Sequence, residues 1–258
     1  MRKISPGVYE SHSQPGWDIF DIANGGYLLS IAGRAMGQEV GGRQLVSVTG
    51  RFVNPTMAGP LEVDTNVVKE GRSLTTATAS VTSGGRTTII ASASFSDGAL
   101  GGANEQTVIH STPPDLPPVE ECVRVIPADE GPFPPPFTGQ VGLHLHPEDI
   151  SISDLTRSRA PTVRGWLQLL DGELIDPYGL VLASDAFPPA VFNSGLPIGW
   201  TPTIDLTVHI RKPGPHQWIR CSVTTRFVND GLLEEDGEYW DADGNLVAQS
   251  RQLALLAR

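Results

Sequence analysis

The sequence predicts an α+β chain in which one unit, an apolar helix wrapped by an antiparallel sheet, occurs twice in tandem. Three observations predict it. A helix-spaced apolar stripe is followed by long β-rich runs, a proline-rich stretch interrupts the chain near its middle, and the same plan then returns.

In the first half, Leu28, Leu29, Ala32, Ala35 and Met36 recur at helical spacing. They follow Asn24-Gly25-Gly26, a sequence suited to a helix start. Strand-like runs cover Gln44–Pro55, Leu61–Val68, Ser73–Val81 and Thr87–Phe95, with Glu70-Gly71 and Ser83-Gly84-Gly85 as hairpin turns. From about Asp97 to Phe137 the proline pairs and triplet (Pro113-Pro114, Pro117-Pro118, Pro134-Pro135-Pro136) fit neither helix nor inner strand. This stretch reads as a linker crossing a surface, with a short ordered piece at Val119–Ile126. Strands follow at Gln140–His146 and Val163–Leu170, then an apolar helical run over Tyr178–Phe192. Further strands are expected at Ile204–Ile210, Gln217–Phe227, from Glu238-Tyr239 onward, and at Leu246–Leu256. The organisation is thus 1–100, a linker over 101–138, and 139–258.

The repeat can be laid residue on residue. Val48-Thr49-Gly50-Arg51-Phe52-Val53-Asn54-Pro55 matches Leu206-Thr207-Val208-His209-Ile210-Arg211-Lys212-Pro213, each ending at proline. Gly84-Gly85 falls where Asp243-Gly244 falls. Two such sheets joined edge to edge remove an exposed edge from each.

Composition limits the function classes. A formal net charge of −11 argues against a nucleic-acid partner, which needs basic groups to neutralise phosphates. No apolar run approaches membrane-spanning length, and no apolar segment follows Arg2-Lys3 as in a secretory signal. Cys122 and Cys221 have neither metal nor redox spacing, which fits a reducing cytoplasm.

The C-terminal half resembles the bacterial type II (TesB-like) acyl-CoA thioesterases. The matching stretches are Leu182-Ala183-Ser184-Asp185, Thr203-Ile204-Asp205, Arg211-Lys212-Pro213, Trp218 with Ser222-Val223, Gly237-Glu238, Asp243-Gly244, Leu246-Val247-Ala248 and Gln252. Gly25-Gly26 and Ala93-Ser94-Phe95 match in the first half. The resemblance implies a double hotdog fold and hydrolysis of an acyl-CoA by a water held by Asp185, Thr203 and Gln252. Pro188-Pro189 departs from the family, which usually has a single proline slightly later.

On their own terms these residues leave alternatives. Asp185 lies in an otherwise apolar run, so its carboxylate needs partners, a shifted pKa or a wet cleft; Ser184 or Asp185 as a helix cap is the rival reading. Gln252 shares a strand face with Ala248, Ser250 and Ala254, where a buried amide needs partners. Strict alternation puts Thr203 on the polar face with Asp205, unless the strand bends at Pro202 or Thr203 lies at its mouth, and Asp205 competes for its role. By the repeat, Ala93 stands where Gln252 stands and Leu45 where Thr203 stands, so one site per chain is expected, with the first half as its second wall. Gly25 and Gly26 are candidates to bind substrate, offering N–H groups to a developing oxyanion; a tight turn explains them equally.

No Gly-x-Ser-x-Gly elbow or Cys–His pairing suggests a covalent intermediate, so direct attack by water on the thioester is expected, with no metal or redox cofactor. The rival readings are an enoyl-thioester hydratase and a non-catalytic acyl-CoA binding protein. For the hydratase, Asp205 and His209 are the only nearby pair, although their spacing is one residue short of the hydratase pattern. A surface role is expected for His144 and His146, a solvated turn for Glu234-Glu235-Asp236, and either CoA phosphates or solvent for Arg211-Lys212. Homo-oligomers are common in such enzymes, and one is compatible with this chain.

Overall fold

The computed structural model describes residues 1–97, 107–150 and 160–256; the expected boundary between residues 100 and 101 lies outside them. The first half runs β1 (Arg2–Ser5), β2 (Val8–Ser13), β3 (Asp18–Ile19), β4 (Ile22–Ala23), α1 (Gly25–Glu39), β5 (Gln44–Phe52), β6 (Gly59–Glu70), β7 (Leu74–Ser83) and β8 (Arg86–Ser96). The rest runs β9 (Val123–Arg124), β10 (Val141–Leu145), β11 (Thr162–Leu169), α2 (Pro177–Ala183), β12 (Thr203–Ile210), β13 (Ile219–Thr224), β14 (Val228–Asn229), β15 (Leu232–Asp241) and β16 (Leu246–Leu255).

The long strands form one antiparallel sheet in the order β1-β2-β6-β7-β8-β5-β12-β16-β15-β13-β11-β10-β9. Read outward from the β5–β12 seam, the two sides have the same connectivity, as a double hotdog requires. The seam pairs Val48 with Val208 and Thr49 with Thr207, and the Thr49 and Thr207 hydroxyls hydrogen-bond at 2.9 Å. Thr49 and Thr207 are equivalent in the sequence repeat, so the pseudo-twofold axis passes through this bond. Ala93 pairs with Val48 as Gln252 pairs with Leu206, which confirms the repeat alignment strand by strand. Even an irregularity is duplicated: the register slips between Leu45 and Ser47 in β5 and between Thr203 and Asp205 in β12.

The sheet curls round α1, whose Leu28, Leu29, Ala32, Ala35 and Met36 are buried as the stripe predicts. The second helix is shorter than the apolar run suggests. It ends at Ala183, and a separate 3₁₀ turn covers Ala190–Ser194, because Pro188 and Pro189 cannot continue the α-helical ladder. Gly26 lets α1 pass close over the end of α2: a Cβ there would lie 2.8 Å from the Leu182 carbonyl oxygen and 3.0 Å from that of Val181.

The linker does more than cross a surface. Val119–Glu121 forms a 3₁₀ turn, β9 adds to the edge of β10, and residues from Val123 to Thr138 wall the main cavity.

Candidate active site

The cavity encloses about 750 Å³ where α1, the end of α2, the linker and the C-terminal sheet meet. Its walls are mainly apolar and aromatic, including Leu28, Phe52, Phe133, Phe137, Phe187 and Trp200. Asp185, Thr203, Glu235, Gln252 and Gly25 also line it.

Asp185 follows the last turn of α2, half-buried, with its carboxyl set against the start of α1. Its Oδ2 accepts hydrogen bonds from the Gly26 N–H at 2.9 Å and the Asn24 side-chain amide at 3.1 Å. Asn24 is the α1 N-cap: its Oδ1 accepts from the Tyr27 N–H at 2.8 Å, while its Nδ2 also donates to the Asp185 carbonyl at 2.7 Å. Loss of water pushes the Asp185 carboxyl up to about 6; the Gly26 and Gly25 N–H groups pull the other way. Asp185 thus does not cap the turn that follows it, which starts after Pro189 without a side-chain cap. It sits instead at the N-terminus of a helix from the other half. Of the two N–H groups expected to meet a developing oxyanion, that of Gly26 is held by the carboxylate, and Gly25 lines the cavity.

Gln252 lies on the inner face of β16, 6% exposed. Its Nε2 donates to Glu235 Oε1 at 3.1 Å, and its Oε1 accepts from the Thr203 hydroxyl at 3.5 Å, the outer limit for such a bond. Thr203 faces inward despite the alternation argument. The register slip between Thr203 and Asp205 turns it onto the face shared by Leu206 and Gln252. Asp205 faces away and meets Arg51 at 3.4 Å, and His209 is exposed; neither lines the cavity. The pair that a hydratase would use is therefore outside the site.

Sequence reasoning missed Glu235. The acidic run is not a turn but part of β15, where Glu235 is 5% exposed while Glu234 and Asp236 face Arg226. Glu235 Oε2 accepts from the Ala190 N–H at 2.7 Å. Burial, followed by the nearby Asp185 and Glu234 carboxylates, pushes it up to about 8. The signal was present: Leu233, Glu235, Gly237 and Tyr239 alternate on one strand face.

The remaining candidates lie elsewhere. Arg211 bonds Gln249 at 3.0 Å and Lys212 meets Asp241 at 3.0 Å, outside the cavity. His144 is half-buried against Trp218, and His146 Nδ1 accepts from the Glu148 N–H at 3.1 Å. Among the described residues no group of three or more His, Cys, Asp or Glu side chains could hold a metal ion. No described helix is long and apolar enough to cross a membrane.

Comparison with known proteins matches this architecture from end to end. The solved structure of a protein from Thermobifida fusca, provisionally named a thioesterase II, superposes with a TM-score of 0.86 at 31% identity, covering 100% of this chain and 95% of that one. A hot dog protein of unknown function from Alicyclobacillus acidocaldarius superposes at 0.83 with 19% identity, over 99% and 95% of the two chains, and so shares the fold. An uncharacterized protein of Mycobacterium tuberculosis is 25% identical over 96% of this chain and 91% of its own length. The family model of the acyl-CoA thioesterase N-terminal domain matches residues 13–96 and that of the C-terminal domain residues 113–256, so the chain belongs to the acyl-CoA thioesterase family and is a thioester hydrolase.

Proposed function

We propose that the cavity takes the acyl group of an acyl-CoA and that Asp185, Thr203 and Gln252 direct a water molecule onto the thioester carbonyl. The observation that carries this reading is the clamped carboxylate. Gly26 and Asn24 hold Asp185 Oδ2, and the residue lines the cavity together with Thr203 and Gln252. With its pKa raised to about 6, Asp185 is ionised at neutral pH yet basic enough to accept a proton.

In the proposed step the water gives one proton to Asp185 as its oxygen bonds to the carbonyl carbon. The tetrahedral adduct then collapses, the C–S bond breaks with its electron pair on sulfur, and the proton held by Asp185 returns to the departing thiolate. The products are a free acid and CoA. Thr203 and Gln252, on adjoining strands, orient the water. The apolar lining favours a hydrocarbon acyl chain, hence a place in fatty-acid or lipid metabolism. Cytoplasmic residence belongs to the same proposal and is supported by two buried cysteines that are both free.

A panel of acyl-CoAs with a thiol-trapping reagent tests the reading. Free CoA is expected, and Asp185→Asn is expected to lower kcat by ~10²–10⁴-fold. Wild-type kcat is expected to fall as pH drops through about 6, because the base works only when ionised. Undiminished CoA release by Asp185→Asn would overturn the assignment.

A further inference from the structure

We infer that Glu235 is a positioning residue whose proton determines which end of the Gln252 amide faces the attacking water. The inference rests on the hydrolytic reading above and extends it to a residue of β15. Glu235 is wedged between two partners: its Oε2 accepts from the Ala190 N–H at 2.7 Å and its Oε1 meets Gln252 Nε2 at 3.1 Å. The rest of the Gln252 amide faces Thr203.

The oxygen and nitrogen ends of an amide have nearly the same shape, so a half-turn about the last side-chain bond exchanges donor for acceptor in place. An ionised Glu235 only accepts. It takes the Gln252 NH₂ and leaves the Gln252 carbonyl toward Thr203 and the cavity. A protonated Glu235 keeps Oε2 as acceptor for Ala190 and donates from Oε1, which draws the Gln252 carbonyl toward itself and turns the NH₂ inward. A water that gives one proton to Asp185 needs an acceptor for its second hydrogen. The Gln252 carbonyl supplies that acceptor, whereas an inward NH₂ would compete for the oxygen lone pair required for attack. The ionised state of Glu235 is therefore the productive one.

The surroundings of Glu235 make this proton sensitive to the site. Asp185, just past the end of α2, and Glu234 on its own strand both oppose its ionisation. Tyr239 is the next titratable group on the same face of β15 and is itself held neutral by burial. The cations nearest in sequence are engaged elsewhere: Arg226 with Glu234 and Asp236, and Arg251 with Asp236.

Glu235→Gln tests the inference because Ala190 fixes its orientation. The new amide must present its oxygen to the Ala190 N–H and therefore its NH₂ to Gln252, which locks Gln252 in the inward-NH₂ form at every pH. Wild type is expected to show two rises in kcat, one near pH 6 from Asp185 and one near pH 8 from Glu235. Glu235→Gln is expected to keep the first and lose the second, with kcat at pH 9 down about tenfold and KM little changed. The side-chain amide NMR signals of Gln252 should shift near pH 8 in wild type and not in the variant. Glu235→Met removes donor and acceptor together and is expected to lose the same limb, so the test survives poor folding of either variant. An upper limb intact in both variants, with Asp185→Asn inactive, would overturn the role of Glu235 and leave the hydrolytic reading standing. Full turnover by Asp185→Asn would overturn that reading and this inference with it.

Discussion

In the N-terminal half, Leu45, Ala77 and Ala93 occupy the sheet positions that Thr203, Glu235 and Gln252 occupy in the C-terminal half, as the strand pairings show. Counted from the caps Asn24 and Asp176, Gly33 stands where Asp185 stands. All four N-terminal counterparts are buried. One half has therefore filled its inner face with small and aliphatic side chains and packs as a core, while the other keeps polar groups there beside a cavity. The difference is one of side chains and helix length. The sheet connectivity, the seam and the bulge are common to both. The N-terminal half still contributes to the proposed site, because the start of its longer helix holds the carboxylate of its neighbour.

Three tests, one with its own control, can break or sharpen this comparison. The largest effect is expected from Gly26→Ala, where the new Cβ would meet two carbonyl oxygens and Asp185 Cβ at 2.8–3.0 Å. A loss of about 1–3 kcal/mol in denaturant unfolding is expected, together with a fall in kcat as Asp185 shifts. Gly33→Ala is the control, since its Cβ would meet only the Tyr178 ring at ordinary contact distance. Next is Ala93→Gln, which copies the C-terminal amide into the other half. Without a counterpart of Glu235 to receive it, the variant should lose about 1–3 kcal/mol and gain no second site, as judged by unfolding and by turnover per chain. The smallest effect is expected from Thr49→Val with Thr207→Val. Removing both partners of the seam hydrogen bond should cost about 1 kcal/mol or less in thermal unfolding and leave kcat unchanged.

The repeat was the most legible feature because it is written in register: matching positions proved to be matching partners in the sheet. The cavity polar groups were less so. Unbroken period-2 alternation puts Thr203 on the outer face, and only the strand bend held open as the alternative brings it inward, because a bulge reverses the side of every residue beyond it. The other repeat held the clue, since Leu45, its equivalent, is an apolar residue three positions before buried Val48. Glu235 was hidden by its neighbours, because three consecutive acids suggest solvent unless strand alternation is applied through them. The clamp on Asp185 joins residues 161 positions apart along the chain, and no local pattern encodes such a contact.

The connecting segment around Val123–Thr138 shapes the chamber while contributing only the two-residue β9 to the sheet. Substitutions there can enlarge or shorten the space for a hydrocarbon tail without disturbing the paired strands or the seam. Under the proposed function, one wall of the acyl site is therefore carried by a stretch of polypeptide that adds little to the scaffold.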